Sequence, residues 1–112
     1  RATLVTSVCT GSALLAKAGV LDGVRATTNK MAFDWVTSQR SMVQWEKQAR
    51  WVEDGKFFSS SGVSAGIDMS LAVIAQLVSP ELADQAATFA EYEWHRDPSW
   101  DPFAPLHGLV DD

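Results

Sequence analysis

Basic residues are scarce in this chain, and cysteine occurs once. Nine lysines and arginines stand against fourteen aspartates and glutamates, for a formal net charge of −5. That balance argues against nucleic-acid or anionic-membrane partners, which need a basic footprint. A single cysteine leaves no partner for an internal disulfide and fits a reducing, cytoplasmic location. One cysteine and two scattered histidines do not make a zinc site, so no metal or other cofactor is expected. No apolar run approaches the roughly 20 residues of a membrane span. The opening residues, rich in β-branched types, are read as a strand and not as a secretory signal. Internal repeats, low-complexity tracts and linkers are missing too. What remains is 112 residues at 46% hydrophobic content, enough for the core of one domain.

The lone cysteine lies where the sequence changes character. Ala2–Val8 reads as a buried strand, and Ser12–Ala18 is a run of good helix formers closed by Gly19. Cys9 therefore falls on a sharp strand-to-helix turn that exposes its side chain. The partial positive charge of a helix start favours negative charge there, and thiolate is the nucleophilic form of cysteine. A small buried hydrophobe is the competing reading for a lone cysteine. The backbone N–H groups of Thr10 and Gly11 stand where a developing anion would be held. Alternatively, Thr10 caps the helix and Gly11 relieves crowding.

Asp22-Gly23 turns the chain into a short strand over Val24–Thr28, and Met31–Gln39 carries mixed helical signals. The polar stretch Arg40–Gln48 has no firm pattern. Ala49–Glu53 and Lys56–Ser60 flank Asp54-Gly55, a hairpin turn of type I′. The strongest helix spans Ala65–Val78, with two apolar faces that predict cover nearly all round. Ser79-Pro80-Glu81 starts another helix, running to about His95. The tail from Asp97 reads as an extended arm without helix. Asp68 is expected to stabilise its helix, and His95 and His107 to be surface or packing residues. Glu91 and Glu93, on different sides of their helix, make no acid–base pair.

Val8-Cys9-Thr10-Gly11-Ser12-Ala13-Leu14-Leu15 and the later Arg25-Ala26-Thr27-Thr28 resemble the ThiJ/PfpI superfamily. Cys-Thr-Gly at the elbow is most similar to its isocyanide-hydratase-like branch. Asp54-Gly55-Lys56, Ser61 to Asp68, Ala90-Glu91-Tyr92 and Pro102-Phe103 follow in the family's order. The resemblance implies an α/β fold, a flavodoxin-like three-layer α/β/α sandwich. Residues 1–112 would be its C-terminal portion, with the nucleophile elbow and the β-hairpin. In that architecture the cysteine strand is central, with strands on both sides. A companion N-terminal polypeptide and a homodimer are expected partners.

The same resemblance implies a cysteine-dependent hydratase or hydrolase acting on a small electrophilic substrate. Its most concrete form is isocyanide hydration to an N-substituted formamide. Cys9 and Thr10 would be catalytic. Gly11, Asn29, Ser64 and Ala65 would contact substrate. Glyoxalase- or deglycase-like chemistry is the near alternative, and a non-catalytic redox or ligand sensor the distant one. Two departures stand out: Thr10 follows the cysteine where many members have histidine, and Asn29 follows Ala-Thr-Thr where regulator-like members have histidine. No histidine base is thereby placed beside Cys9, and an acid from the companion polypeptide would supply the proton.

Overall fold

A computed structural model describes residues 3–111. Ala2, the predicted first residue of the opening strand, lies outside them. Strand β1 (Val5–Val8) leads through Cys9 and Thr10 into helix α1 (Gly11–Lys17). Gly19, at φ 82°, ends the helical segment, and its amide reaches the Ala16 carbonyl at 3.0 Å. Strand β2 (Arg25–Ala26), helix α2 (Phe33–Thr37) and strand β3 (Gln44–Trp45) follow. Strands β4 (Trp51–Asp54) and β5 (Phe57–Ser60) form the hairpin, and helices α3 (Val63–Leu77), α4 (Pro80–Phe89) and α5 (Phe103–Leu106) complete the chain.

The larger sheet has the order β1-β5-β4, with β1 parallel and β4 antiparallel to β5. Among the described residues β1 pairs only with β5 and is an edge strand. β2 and β3 make a small parallel pair, so the unassigned polar stretch contributes a strand. Successive strand residues face opposite sides of a sheet, and Phe57 and Phe58 divide the core accordingly. Phe58 packs with Trp51 and with Met69 of α3. Phe57 packs toward Ala16, Leu21, Ala26 and Val43 on the other face. The result is an α/β fold, with α3 covering one face of the sheet and α1 with the β2–β3 pair covering the other.

Four expectations are corrected. The hairpin pairs Asp54 with Phe57, so its two-residue turn is Gly55-Lys56, one residue later than predicted. Gly55 takes φ 60° while Lys56 stays outside the left-handed region, which is a type II′ arrangement and not type I′. Helix α4 begins as expected, with Ser79 Oγ accepting from the Leu82 amide at 3.1 Å, but stops at Phe89. Glu91 takes φ 53°, and the Tyr92 and Glu91 amides donate to the Ala87 and Thr88 carbonyls at 2.8 and 3.0 Å. That Schellman closure satisfies the last carbonyls and ends the helix, so Glu91 and Glu93 lie beyond it.

The third correction is the tail, which contains the short helix α5, started by the Asp101 carboxylate accepting from the Phe103 amide at 3.0 Å. The fourth concerns α3, which within this chain is covered by the sheet and by α4 and left open elsewhere. Its Ala65, Gly66, Asp68, Met69 and Leu71 are buried, whereas Val63 and Leu77 are 77% and 56% exposed. Among the described residues no helix is long and apolar enough to cross a membrane.

Candidate active site

Cys9 is half-buried and sits in the left-handed region at φ 57°. A side chain there costs about 1–2 kcal/mol, since the β-carbon crowds the following carbonyl. Four hydrogen bonds to its backbone offset that cost. The Cys9 amide donates to the Ser61 carbonyl at 2.8 Å and shares a longer bond with Ser60 at 3.2 Å. Its carbonyl accepts from Thr28 Oγ1 at 2.6 Å and from Ser12 Oγ at 3.2 Å. The turn is therefore gripped by three segments: the end of β5, the loop after β2, and the first turn of α1. Strained backbone held this firmly is characteristic of functional positions.

A cavity of about 460 Å³ opens beside this turn. Its walls come from the loop after β2 (Asn29, Lys30, Met31), from the entry to α3 (Ser61 to Ser64 and Ile67), and from α5 with its following residue (Phe103, His107). Two of those elements touch the elbow directly. Ser61 receives the Cys9 amide, and Thr28, which binds the Cys9 carbonyl, precedes Asn29 and lies 3.4 Å from its Oδ1.

Of the predicted site residues, Asn29 and Ser64 line the cavity; Cys9 is not itself a wall residue and is joined to the wall through its backbone bonds to Ser61 and to Thr28, the neighbour of Asn29. Three others lie outside the cavity wall. Ala65 is 2% exposed and belongs to the buried side of α3, because its position one residue after Ser64 turns it inward. Thr10 is exposed, makes no side-chain capping bond and is not among the wall residues. Gly11 is not a wall residue either, and an added β-carbon there would meet nothing within 4 Å, so it relieves no crowding. His107, expected to be a plain surface or packing residue, stands in the cavity wall.

Lys30 is the largest feature that the sequence hid. Its ammonium is fully buried and donates to Thr27 Oγ1 and the Ala49 carbonyl at 2.7 Å each, and to the Thr28 carbonyl at 3.1 Å. Asp101, equally buried, lies 3.5 Å away and partners its charge. Burial pushes the Lys30 pKa down to about 8, against the opposing pull of Asp101. The lysine thus staples three segments together: the loop that holds Cys9, the start of the hairpin, and the tail. Nothing in the neighbouring Ala-Thr-Thr-Asn signals burial of a lysine, and only the tail's return past it buries the group.

A second buried pair anchors the same tail. Asp68, expected to act on its own helix, has no exposed surface and takes Arg50 Nε at 2.7 Å and Nη2 at 2.6 Å. Its other oxygen accepts from the His95 amide at 2.9 Å. Trp100 then covers Arg50, with the guanidinium 5.3 Å from the ring centroid, and stacks on His95 at 4.5 Å. Among the described residues no three His, Cys, Asp or Glu side chains cluster as metal ligands would.

Residues 1–76 match the DJ-1/PfpI family. The chain belongs to that family. Curated relatives include an isonitrile hydratase of Pseudomonas putida, 38% identical over 92 residues, which are 82% of this chain and 39% of that protein. A second is the HTH-type transcriptional regulator CdhR of Pseudomonas aeruginosa, 43% identical over 79 residues, covering 70% of this chain and 23% of the regulator. The chain therefore spans well under half the length of the curated relatives it matches. Among solved structures, a ThiJ/PfpI family protein of Pseudomonas syringae superposes with TM-score 0.73 at 35% identity, over 85% of this chain and 38% of that one. DJ-1beta of Drosophila melanogaster gives TM-score 0.70 at 21% identity, over 81% of this chain and 47% of that one, a likeness of fold alone. The DJ-1/PfpI assignment gives the strand–Cys9–helix turn its context: the motif and the fold agree over the same residues.

Proposed function

We propose that this chain is the nucleophile-bearing part of a cysteine-dependent hydratase that converts an isocyanide to an N-substituted formamide. The observation that carries the reading is Cys9 itself, held in the left-handed region by four backbone hydrogen bonds, one of them to Ser61 in the wall of a ligand-sized cavity. The 38% identity to an isonitrile hydratase, isonitrile being another word for isocyanide, supports the choice of substrate.

In this mechanism the thiolate adds to the terminal carbon of R–NC, forming a C–S bond. That carbon takes a proton from an acid and becomes a thioimidate, S–CH=N–R. Water adds to the same carbon as the nitrogen is protonated. Collapse then breaks the C–S bond, releasing R–NH–CHO and regenerating the thiolate. Water and isocyanide account for every atom of the product, and the sulfur is both attacker and leaving group. The acid is assigned to a companion N-terminal polypeptide, consistent with the chain spanning 39% of the hydratase it matches. Homodimer formation belongs to the same proposal.

A second reading, a ligand-sensing module without turnover, is favoured by the 43% identity to a transcriptional regulator. Incubation with an aryl isocyanide separates the two. Formamide production that disappears in Cys9→Ser supports the hydratase. Saturable binding without product supports the sensor, and turnover of methylglyoxal in place of isocyanide supports aldehyde chemistry.

A further inference from the structure

We infer that the C-terminal segment around α5 is the specificity wall of this site, with Phe103 selecting substrates that carry an apolar substituent. This rests on the reading of Cys9 as the nucleophile and extends it to the part of the substrate away from the reacting carbon.

The cavity carries both polar and apolar groups. Ser61 and Asn29 lie in the segments that grip the elbow, and Lys30, Ser64 and His107 are its other polar wall residues. Much of the rest is apolar: Met31, Val63, Ile67 and Phe103. A volume of about 460 Å³ falls within the range of small-ligand pockets, roughly 300–1,000 Å³. Apolar walls reward a substituent that loses contact with water and give nothing to a polar one.

Phe103 is the aromatic member of that wall and is half exposed in the empty cavity, so a guest can cover it. Its position is fixed twice over. The Asp101 carboxylate accepts from its amide, and the same carboxylate is held by the buried Lys30 ammonium at 3.5 Å. Upstream, the Asp68–His95 bond ties down the start of the tail, and the Pro98 carbonyl accepts from the Trp51 amide at 3.2 Å. This wall also lies outside residues 1–76, the part that matches the family.

The test compares Cys9 alkylation by iodoacetamide with that by N-benzyl-iodoacetamide, reagents that differ in one apolar ring. The unmodified protein is expected to favour the benzyl reagent, once rates are corrected for those with a free thiol. Phe103→Ala should lower that preference about tenfold, the scale of one lost aromatic contact, with iodoacetamide itself reacting as before. Phe103→Leu should retain part of the preference. Phe89→Ala, an exposed phenylalanine on α4 outside the cavity, should leave it intact. Equal preference in the unmodified and Phe103→Ala proteins overturns the inference, while leaving isocyanide turnover as an independent measure of the hydratase reading. A Cys9 that neither reagent labels overturns both.

Discussion

A β-carbon added to Gly66 would stand 2.9 Å from Cγ1 and 3.2 Å from Cγ2 of Val8. Helix α3 therefore crosses the elbow strand at a distance that only glycine permits, one residue before Cys9. Gly66→Ala is expected to push the partly exposed Val8 side chain aside and destabilise the fold by about 1 kcal/mol, the low end of the usual cost of overpacking. Because Val8 leads directly into the strained turn, Cys9 alkylation by iodoacetamide should change as well. Urea unfolding and alkylation kinetics measure the two effects. Unchanged values in both would show that the helix gives way freely.

The left-handed backbone of Cys9 has its own consequence. Glycine adopts φ 57° without steric cost, whereas a β-branched residue is the least suited to it. Cys9→Gly should stay within about 1 kcal/mol of the parent stability, because relief of the left-handed strain offsets glycine's greater freedom when unfolded. Cys9→Val should be less stable than Cys9→Gly by at least about 1 kcal/mol, and both variants should lack turnover. Equal stabilities would contradict a strained elbow.

Removing one member of the Arg50–Asp68 pair leaves a buried charge without its partner. Arg50→Met is expected to cost about 3–5 kcal/mol. The double variant Arg50→Met with Asp68→Leu should recover a large part of that loss. Hydrogen exchange should report faster opening of residues 92–101, which the pair holds to α3 and β4. A double variant no better than the single one would refute the uncompensated-charge explanation.

Lys30 sets a pH dependence. In the fold its pKa is about 8, below its ordinary 10.5, so between these values the unfolded chain binds the extra proton. Stability must then rise with pH across that window and lose this contribution as pH falls through 8. Below pH 8 both states carry the charge and the slope vanishes. The stability difference between the parent and Lys30→Met, followed by urea unfolding from pH 7 to 10, isolates the group. A flat difference would place the lysine in water.

Much of the plan was readable in the residues. β-Branched Val5 and Val8, the helix formers after Gly11, the glycine of the hairpin and Ser79-Pro80 each act through neighbours a few positions away. Such local rules mark the elbow, the hairpin and the helix starts without knowledge of the rest. The turn slipped by one residue because Asp54-Gly55 and Gly55-Lys56 both place glycine at a positive φ, and pairing across the strands chooses between them. Helix α4 was drawn too long because nothing about Glu91 announces a left-handed residue. For the site, sequence order alone does not say which residues share a cavity: Asn29 and Ser64 line it, whereas Cys9, Ala65, Thr10 and Gly11 do not.

Sequence alone determined that a single thiol stands at a strand-to-helix turn, with no second cysteine in the chain. Tertiary structure decided which charges are buried. Asp68 meets Arg50 and Lys30 meets Asp101 across separations of 18 and 71 positions, the differences of their residue numbers. Whether such a side chain is solvated or sealed depends on which distant segment returns to cover it, and no local pattern encodes that. The same return of the tail brings Phe103 and His107 to the cavity, so the cysteine's position is a local property and the cavity beside it a global one.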